Sequence, residues 1–426
     1  MLERFSIMPF DHSKAPFSTL DTALSTKCCL TCGFCYAKND RNGEYNKSRM
    51  DQTYKWFFGQ YVEKAKKIKN AKNSVSVNLY GGEPFVEWEH LKEEIPIRKN
   101  QAKDENLKIS FCAVSNLVLL DDSKIDWCKQ NGVSISCSID GCQEAEDYWR
   151  KFPDGTGASE KVFENAKKII KRGMTDTVRM TSTPETVKWF AKSVKFLNEE
   201  LGFSIVNCVT GSGLTWDRNQ IDTYKEKLSE TTDWWINQVR NGKWIQLFYL
   251  NKRLPYIWGK PRDRGSCAAG LSMICADTNG LLWPCHRFAG GPKSSKFCLG
   301  NIYEGITNKE MLSRISELSF CHTTFKPQCT TCQSRFACNS FCLNAMANNG
   351  DNIESQDCEF IEAQTKEAVR AHNTLMKEKN PLFIEHYRLK KTENISNEEH
   401  AQYLEKLKSV SNGSIKLEKK QPNFVQ

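Results

Sequence analysis

The sequence contains no long hydrophobic run: no stretch approaches the roughly 18 consecutive apolar residues that a membrane-spanning helix needs. Its first residues, Met-Leu-Glu-Arg-Phe, lack the apolar stretch of a secretory signal peptide. It also lacks a compact cluster of Arg and Lys interleaved with aromatic residues, so the net charge of +9 indicates general solvation. We therefore expect a cytoplasmic protein with neither a membrane nor a nucleic acid as partner.

Cysteine, by contrast, is abundant, with 19 among 426 residues. The cytoplasm keeps thiols reduced, so this abundance favours metal ligands over disulfides. With 39% hydrophobic residues, a chain of this length can bury more than one core. The composition therefore predicts a metal-binding protein of at least two domains.

The first cysteine motif reads Cys-Cys-Leu-Thr-Cys-Gly-Phe-Cys-Tyr and places thiols at Cys28, Cys32 and Cys35. A 4Fe-4S cluster has four irons, and this spacing supplies ligands for three of them. The fourth iron stays open for a small molecule, as does the open position of a catalytic metal site. The motif therefore predicts chemistry at the cluster.

A second motif, Gly81-Gly82-Glu83-Pro84, follows directly on a predicted strand over residues 74–80. Two glycines let the backbone approach a ligand closely, and peptide groups beside a carboxylate suit the ammonium of an amino acid. Alone, the motif is equally typical of an ordinary turn. Together with the cysteine motif, it predicts an amino-acid site next to the cluster.

The two motifs resemble those of the radical S-adenosylmethionine (SAM) enzymes. The resemblance implies that the methionine group of SAM chelates the open iron and that the reduced cluster cleaves SAM to a 5'-deoxyadenosyl radical. It also implies that Phe34 packs near the adenine and that the backbone of residues 81–84 binds the methionine amino group. Cys29 has no counterpart in the motif and is interpreted as a bystander. A small-protein electron donor of flavodoxin or ferredoxin type is implied as a partner.

Strand-like and helix-like segments alternate from about residue 19 to residue 212. The predicted strands are residues 19–25, 74–80, 107–114, 133–139, 177–181 and 204–209. A helix is predicted over residues 161–172, and another is predicted to begin at Thr183-Pro184, an N-cap and first-turn pair. Repeated strand-helix units imply a parallel sheet with right-handed crossovers. The fold class is α/β, and the resemblance implies a partial (β/α)6 barrel.

Polar residues follow the third and fourth predicted strands: Asn116, then Ser138 and Asp140. Barrel enzymes have their active sites at the carboxyl ends of the strands, so these side chains are expected to face the same end of the barrel. Ser, Asn and Asp at strand ends also form turns, and that interpretation stays open. The resemblance implies that Ser138 and Arg150 hold the ribose and the methionine carboxylate of SAM, for which the fork of Arg is suited.

A second cysteine-dense region extends from residue 267 to residue 358. Its paired spacings alone fit structural zinc about as well as iron-sulfur. The full arrangement is similar to the SPASM extension of radical SAM enzymes, a small α+β domain with two auxiliary 4Fe-4S clusters. The resemblance implies these ligands: Cys267, Cys285 and Cys342 for the first auxiliary cluster, and Cys329, Cys332, Cys338 and Cys358 for the second.

The fourth ligand of the first auxiliary cluster is left open. Cys275 is one candidate, but its strand-like setting equally suits a small buried residue. In that case an open iron could hold a substrate thiolate. Cys298 and Cys321 are further candidates. The remaining cysteines fall in barrel elements and are expected to pack in the core: Cys112, Cys128, Cys137, Cys142 and Cys208.

SPASM-bearing enzymes mostly modify peptides and proteins, so the resemblance implies a maturase that forms a thioether or carbon-carbon crosslink, or a similar oxidation, on a ribosomally made peptide. The alternatives are an anaerobic sulfatase-maturating enzyme and a non-enzymatic zinc-binding scaffold. Sulfatase maturases have Asp directly after the cysteine that corresponds to Cys285, where this chain has His286. We interpret His286 as a candidate catalytic base. The alternative is that it only donates a hydrogen bond beside the cluster.

Five segments are predicted: an N-terminal extension (1–18), the partial barrel (19–212), an aromatic-rich helical bridge (213–262), the SPASM domain (263–365) and a polar helical tail (366–426). The aromatic residues of the bridge favour packing between domains over a peptide groove. Only 27 residues precede Cys28, too few for a folded leader-binding domain. A peptide leader is therefore expected to bind elsewhere on the chain or to a separate protein.

Overall fold

The computed structural model describes residues 15–37, 42–69, 71–257, 267–290, 294–321, 331–334, 337–338, 342–350 and 355–391. None of the helices in these ranges is long and apolar enough to cross a bilayer. Cys329, the side chain of Cys321 and the tail beyond residue 391 lie outside the described residues.

One sheet joins the eleven strands of the described residues, in the order β11-β10-β9-β8-β1-β2-β3-β4-β5-β6-β7. The strands β1 to β7 run parallel to their neighbours, which confirms the predicted parallel α/β fold. The bounds of these seven are β1 Thr19–Ala23, β2 Ser74–Tyr80, β3 Lys108–Ser115, β4 Val133–Ser138, β5 Thr177–Ser182, β6 Ile205–Thr210 and β7 Gln246–Leu247.

Helices cover the outside of this sheet. They are α1 Lys47–Ala65, α2 Trp88–Asp104, α3 Asp122–Gln130, α4 Gln143–Trp149, α5 Ser159–Lys171, α6 Phe190–Glu199, α7 Arg218–Arg240, α8 Phe248–Ile257 and α9 Lys309–Cys321, followed by Leu343–Asn348, Ser355–Lys377 and Pro381–Lys391. In α5, Val162, Ala166 and Ile169 recur at helical spacing and are fully buried. Gly173, with φ +63°, follows the end of α5, as the sequence predicts.

The prediction of a helix starting at Thr183-Pro184 is wrong. The Thr183 carbonyl accepts hydrogen bonds from the backbone N–H groups of Thr186 and Val187, so these residues form a turn. A 3-10 helix, Val187–Trp189, comes next, and α6 begins only at Phe190. The Thr183 hydroxyl accepts a hydrogen bond from Trp149 Nε1 at 3.0 Å and donates to the Glu185 carboxylate at 2.8 Å.

The later cysteine-rich segment extends the barrel sheet beyond β1. Its strands are β8 Met273–Ala276, β9 Leu281–Trp283, β10 Gly300–Asn301 and β11 Gly305–Ile306. β8 pairs parallel to β1, and β9 to β11 continue the sheet in antiparallel fashion. The segment also has a hydrophobic cluster of its own, which includes Trp283, Phe288, Ile315 and Leu343.

The aromatic segment after β6 packs mainly as core. Trp216 and Tyr224 each contact Phe360, with ring centroids 5.0 Å apart. Trp235 is buried and donates from Nε1 to the Ile245 carbonyl at 2.7 Å. Trp216 and Tyr224 thus pack against the helix Ser355–Lys377. Phe248 differs, because it lines the cavity described below.

Candidate active site

A cavity of about 580 Å³ lies at the carboxyl ends of the barrel strands. Its wall combines residues that follow β1 and β2 with residues of the later cysteine-rich segment. The sequence-predicted residues that line it are Cys28, Cys32, Phe34, Cys35, Gly81, Gly82, Asn116, Ser138, Arg150, Cys267, Cys285, His286 and Cys342. Two motifs that are almost 240 residues apart in the sequence thus meet on one surface.

The first cysteine motif forms a loop directly after β1. The Cys35 N–H donates to the Cys32 carbonyl at 3.1 Å, and the Leu30 N–H to Cys28 Sγ at 3.5 Å. Burial raises the pKa of the Cys32 thiol to about 12. No three His, Cys, Asp or Glu side chains of the described ranges converge on a point where one ion could be chelated. All three thiols line the cavity, and their sequence spacing is one that supplies three ligands to a 4Fe-4S cluster.

Cys29 does not line the cavity, in keeping with its interpretation as a bystander. Asn116 lies next to it: Asn116 Nδ2 is 3.5 Å from Cys29 Sγ and 3.7 Å from Cys28 Sγ. Asn116 therefore connects the end of β3 to the first cysteine motif. Its amide can support the thiolate of Cys28 by a hydrogen bond when that residue binds metal.

The glycine loop presses directly against the cysteine loop. A Cβ on Gly81, where φ is +123°, would lie 2.0 Å from the Ser25 carbonyl oxygen. A Cβ on Gly82 would lie 2.1 Å from the Lys27 carbonyl oxygen, which also accepts the Glu83 N–H at 2.9 Å. Any side chain here would push the two loops apart, so both glycines are required for the shape of the cavity.

Gly81→Ala is expected to lower the free energy of unfolding by about 1–3 kcal/mol. Alanine disfavours the positive φ, and its Cβ would clash with the Ser25 carbonyl oxygen of the backbone. The midpoint of urea denaturation measures the loss. Gly59→Ala is the matched control, because Gly59 lies within α1 with open space around its Cβ. That variant is expected to be neutral or stabilised by up to about 1 kcal/mol; equal losses in both variants would contradict the explanation.

The Glu83 carboxylate, which lies in the predicted amino-acid site, is held by three hydrogen-bond donors of the fold. The carboxylate accepts hydrogen bonds from Ser115 Oγ at 2.9 Å, from the Asn116 N–H at 2.7 Å and from the Phe85 N–H at 3.2 Å. Neither Glu83 nor Pro84 lines the cavity. Burial raises the pKa of Glu83 to about 7, against the opposing effect of these hydrogen bonds. Glu83 thus connects the glycine loop to the end of β3.

Glu83→Gln is expected to destabilise the protein by about 1–3 kcal/mol, because the glutamine NH2 would face one of the three donors and leave it unsatisfied. Urea denaturation of the purified chain measures the change. Glu89→Gln is the control, since Glu89 is exposed and its ion pair with Lys92 contributes at most about 1 kcal/mol. A Glu83→Gln variant as stable as the control would show that the three hydrogen bonds do not stabilise the loop.

Ser138 and Arg150 both line the cavity, but Arg150 is already bound to a partner. Its Nε and Nη2 donate to the Asp140 carboxylate at 2.7 and 3.1 Å, and Glu146 lies 3.6 Å from Nε. Burial alone would lower the pKa of Arg150, but the nearby Asp140 and Glu146 outweigh it and raise that pKa. Asp140 also accepts the Thr181 N–H at 3.0 Å, so Arg150 connects the ends of β4 and β5. Asp140 therefore orients Arg150 and does not itself line the cavity.

His286 is held by a residue that sequence reasoning missed. Its Nδ1 lies 2.8 Å from a carboxylate oxygen of Asp21, a fully buried residue of β1. Asn78 donates to the other carboxylate oxygen at 2.9 Å. The imidazole stacks on Tyr80 with a ring-centroid distance of 4.0 Å, and Tyr36 lies 5.5 Å away. A signal for Asp21 was present in the sequence, since it is a lone acidic residue inside an otherwise uncharged strand.

The later cysteines separate into two sets. Cys267, Cys285 and Cys342 line the cavity. Cys275 does not: it is buried on β8, directly paired with Asp21 and Trp283 of the neighbouring strands, a position that favours packing. Cys332, Cys338 and Cys358 are half-buried and lie outside the cavity wall. Of the described cysteines in this region, Cys267, Cys285 and Cys342 share the cavity with the first cysteine motif.

The barrel cysteines occupy core positions as predicted, with Cys112 half-buried and four others buried: Cys128, Cys137, Cys142 and Cys208. Cys298 is also buried, and its thiol contacts the Gly300 carbonyl at 3.4 Å.

Comparison with known proteins gives a consistent result. Residues 22–197 match the family model of the Radical SAM superfamily. The cysteine-type anaerobic sulfatase-maturating enzyme of Clostridium perfringens is 23% identical over 79% of this chain and 91% of its own length. The radical SAM cyclopropyl synthase TigE of Paramaledivibacter caminithermalis is 20% identical over 82% of this chain and 74% of its own.

Solved structures share the fold. Native anSMEcpe with bound AdoMet and Cp18Cys peptide superposes with a TM-score of 0.64 at 19% identity, over 84% of this chain and 99% of that one. Streptococcus suis SuiB bound to S-adenosylmethionine superposes with a TM-score of 0.51 at 15% identity, over 79% of this chain and 75% of that one.

Proposed function

Because the chain contains a radical SAM domain, whose family implies SAM and a 4Fe-4S cluster, we propose that it is a maturase that oxidises a residue of a ribosomally made peptide, forming a thioether or carbon-carbon crosslink or a similar product. One observation carries this proposal: Cys28, Cys32 and Cys35 share a cavity with Cys267, Cys285 and Cys342. A substrate in that cavity would lie between the groups that the two cysteine sets are proposed to hold.

The first cysteine motif would hold the cluster, and the backbone of Gly81 and Gly82 would bind the amino group of SAM. When bound, these cofactors supply a 5'-deoxyadenosyl radical that abstracts hydrogen from the substrate. Ser138 and Phe34 line the same cavity and would contact the ribose and adenine. His286, oriented by Asp21, would accept a proton from the substrate residue.

Two auxiliary clusters form part of the proposal. Cys267, Cys285 and Cys342 would hold the first at the cavity wall, where it could take up the electron left on the product or bind a substrate thiolate. The second would use Cys332, Cys338 and Cys358 together with Cys329, which lies outside the described residues. Burial of the Cys285 thiol raises its pKa, so ligation there would release a proton.

A sulfatase maturase is the second candidate. It is supported by sequence similarity to a cysteine-type and a serine-type anaerobic sulfatase-maturating enzyme and by the fold shared with anSMEcpe. His286 favours the peptide maturase instead, because the sulfatase-maturing group is expected to have Asp at this position. A neutral imidazole can accept a proton near pH 7 without the charge of a carboxylate.

The test is anaerobic reconstitution of the full chain with iron and sulfide, followed by addition of SAM, a strong reductant and candidate peptides encoded next to its gene. We expect 5'-deoxyadenosine in the reaction and a peptide that has lost two hydrogen atoms and gained a crosslink by fragmentation mass spectrometry. Oxidation of a single cysteine or serine in a sulfatase peptide, with no crosslink, would favour the second candidate. Zinc in place of iron and sulfide would refute both.

A further inference from the structure

Three basic side chains of the cavity wall have no carboxylate partner among the residues that the structure describes: Arg179 on β5, Lys252 on α8 and Arg287 beside His286. We call them the basic wall. We propose that the basic wall binds a carboxylate of the peptide substrate, so that the substrate carries Asp or Glu close to its reacting residue. This inference rests on the proposed function and adds the chemical class of the substrate.

The contrast with Arg150 supports this assignment. Arg150 is neutralised within the fold by Asp140 and Glu146. No salt bridge within the described ranges involves Arg179, Lys252 or Arg287, and the one acidic residue lining the described cavity is Asp357. A basic side chain that lines a cavity and has no ion pair of its own can bind an anionic group of a ligand at its own position, whatever charge Asp357 or cysteine-bound clusters bring elsewhere on the wall.

Arg287 gives the most direct geometric evidence. Its Nη2 donates to the Ser212 carbonyl at 3.2 Å, and its guanidinium lies 5.4 Å from the Tyr36 ring centroid. Its Nε is buried and has no hydrogen-bond partner among the described residues. The guanidinium is therefore positioned by two contacts while a donor remains available. Such a fixed fork matches the two oxygens of a carboxylate.

Arg179 is placed on the same surface by strand alternation. Val178 and Met180 are buried in the core, whereas Arg179 and Thr181 line the cavity. Arg179 pairs in register with Ser138 of β4. Lys252 lines the cavity from α8, and its Nζ lies 5.6 Å from the centroid of the Phe248 ring. SAM cannot neutralise three such groups, because its single carboxylate is outweighed by an ammonium and a sulfonium.

The experiment uses the reconstituted full chain and three blocked heptapeptides with an uncharged fluorophore, identical except for Asp, Asn or Lys next to a central Cys. Fluorescence anisotropy is expected to show that the Asp peptide binds about 10-fold or more tightly than the Asn peptide, a preference that weakens with salt. Arg287→Gln and Arg179→Gln should each remove most of this preference, and Arg287→Glu should shift it toward the Lys peptide. Arg172→Gln, which removes an equal charge from the outer surface, should leave it unchanged.

Each other outcome counts against the proposal. Equal affinity for the Asp and Asn peptides, including no binding of either, contradicts it, as does a preference that survives in the Arg179→Gln/Arg287→Gln double variant. Equilibrium dialysis with SAM separates the two possible sources of the carboxylate. Variants that lose SAM affinity but keep the Asp preference would assign the arginines to SAM instead. The binding assay is independent of 5'-deoxyadenosine formation, so failure of the proposed function remains distinguishable.

Discussion

Replacing Cys32 with alanine is expected to reduce 5'-deoxyadenosine formation to background under a strong reductant and to remove about four iron atoms per chain. Cys32 is the central thiol of the first cysteine motif and lines the cavity with Cys28 and Cys35. Two remaining thiolates cannot hold the cluster in the geometry that leaves one iron open. Chromatography of the reaction and metal analysis of the anaerobic protein measure the two effects.

Cys29→Ala is the matched control, because Cys29 is the same residue type in the same loop but does not line the cavity. We expect this variant to retain its iron and to form 5'-deoxyadenosine within about twofold of the wild type. Activity that persists in Cys32→Ala, or that disappears equally in Cys29→Ala, would overturn the assignment of the motif. The comparison also excludes a general effect of removing any thiol from this loop.

The parts of the molecule that the sequence predicts well are those determined by local spacing. In strand β2, Ser74–Tyr80, buried residues alternate with half-buried ones after the exposed Ser74, and the predicted and observed bounds agree. The cysteine and glycine motifs also depend on short spacings, and both line the cavity. Parallel strands then bring these motifs to one edge of the sheet, so their proximity follows from the fold.

The parts that the sequence does not predict depend on contacts between distant residues. Asp21 and His286 are 265 positions apart, and they meet because β8 pairs with β1. The orientation of Glu83 depends on donors from β3. The basic wall is assembled from three separate elements, none of which has an unusual local sequence. These features require the tertiary structure, since no local pattern specifies a partner hundreds of residues away.

Arg150 is where the structure changes the sequence interpretation most, and it leads to the second large prediction. The side chain of Arg150 is 9% exposed, and those of Asp140 and Glu146 are 2% and 0% exposed. Arg150→Gln would leave the buried Asp140 carboxylate without its cation, whereas burial raises the pKa of Glu146 to about 8 and favours its neutral form. Breaking a buried pair in this way is expected to cost about 3–5 kcal/mol of unfolding free energy. The exposed ion pairs of Arg172 make Arg172→Gln the control, which is expected to lose far less stability than Arg150→Gln.

The double variant Asp140→Asn/Arg150→Gln separates a structural role of Arg150 from cofactor binding. If Arg150 acts mainly by neutralising Asp140, the double variant should be more stable than Arg150→Gln alone, because it removes the uncompensated charge of Asp140. SAM affinity by equilibrium dialysis should then recover together with stability, since the loop is restored while the guanidinium stays absent. Recovery of stability without recovery of SAM affinity would instead show that the guanidinium itself holds the methionine carboxylate, with Asp140 serving to aim it.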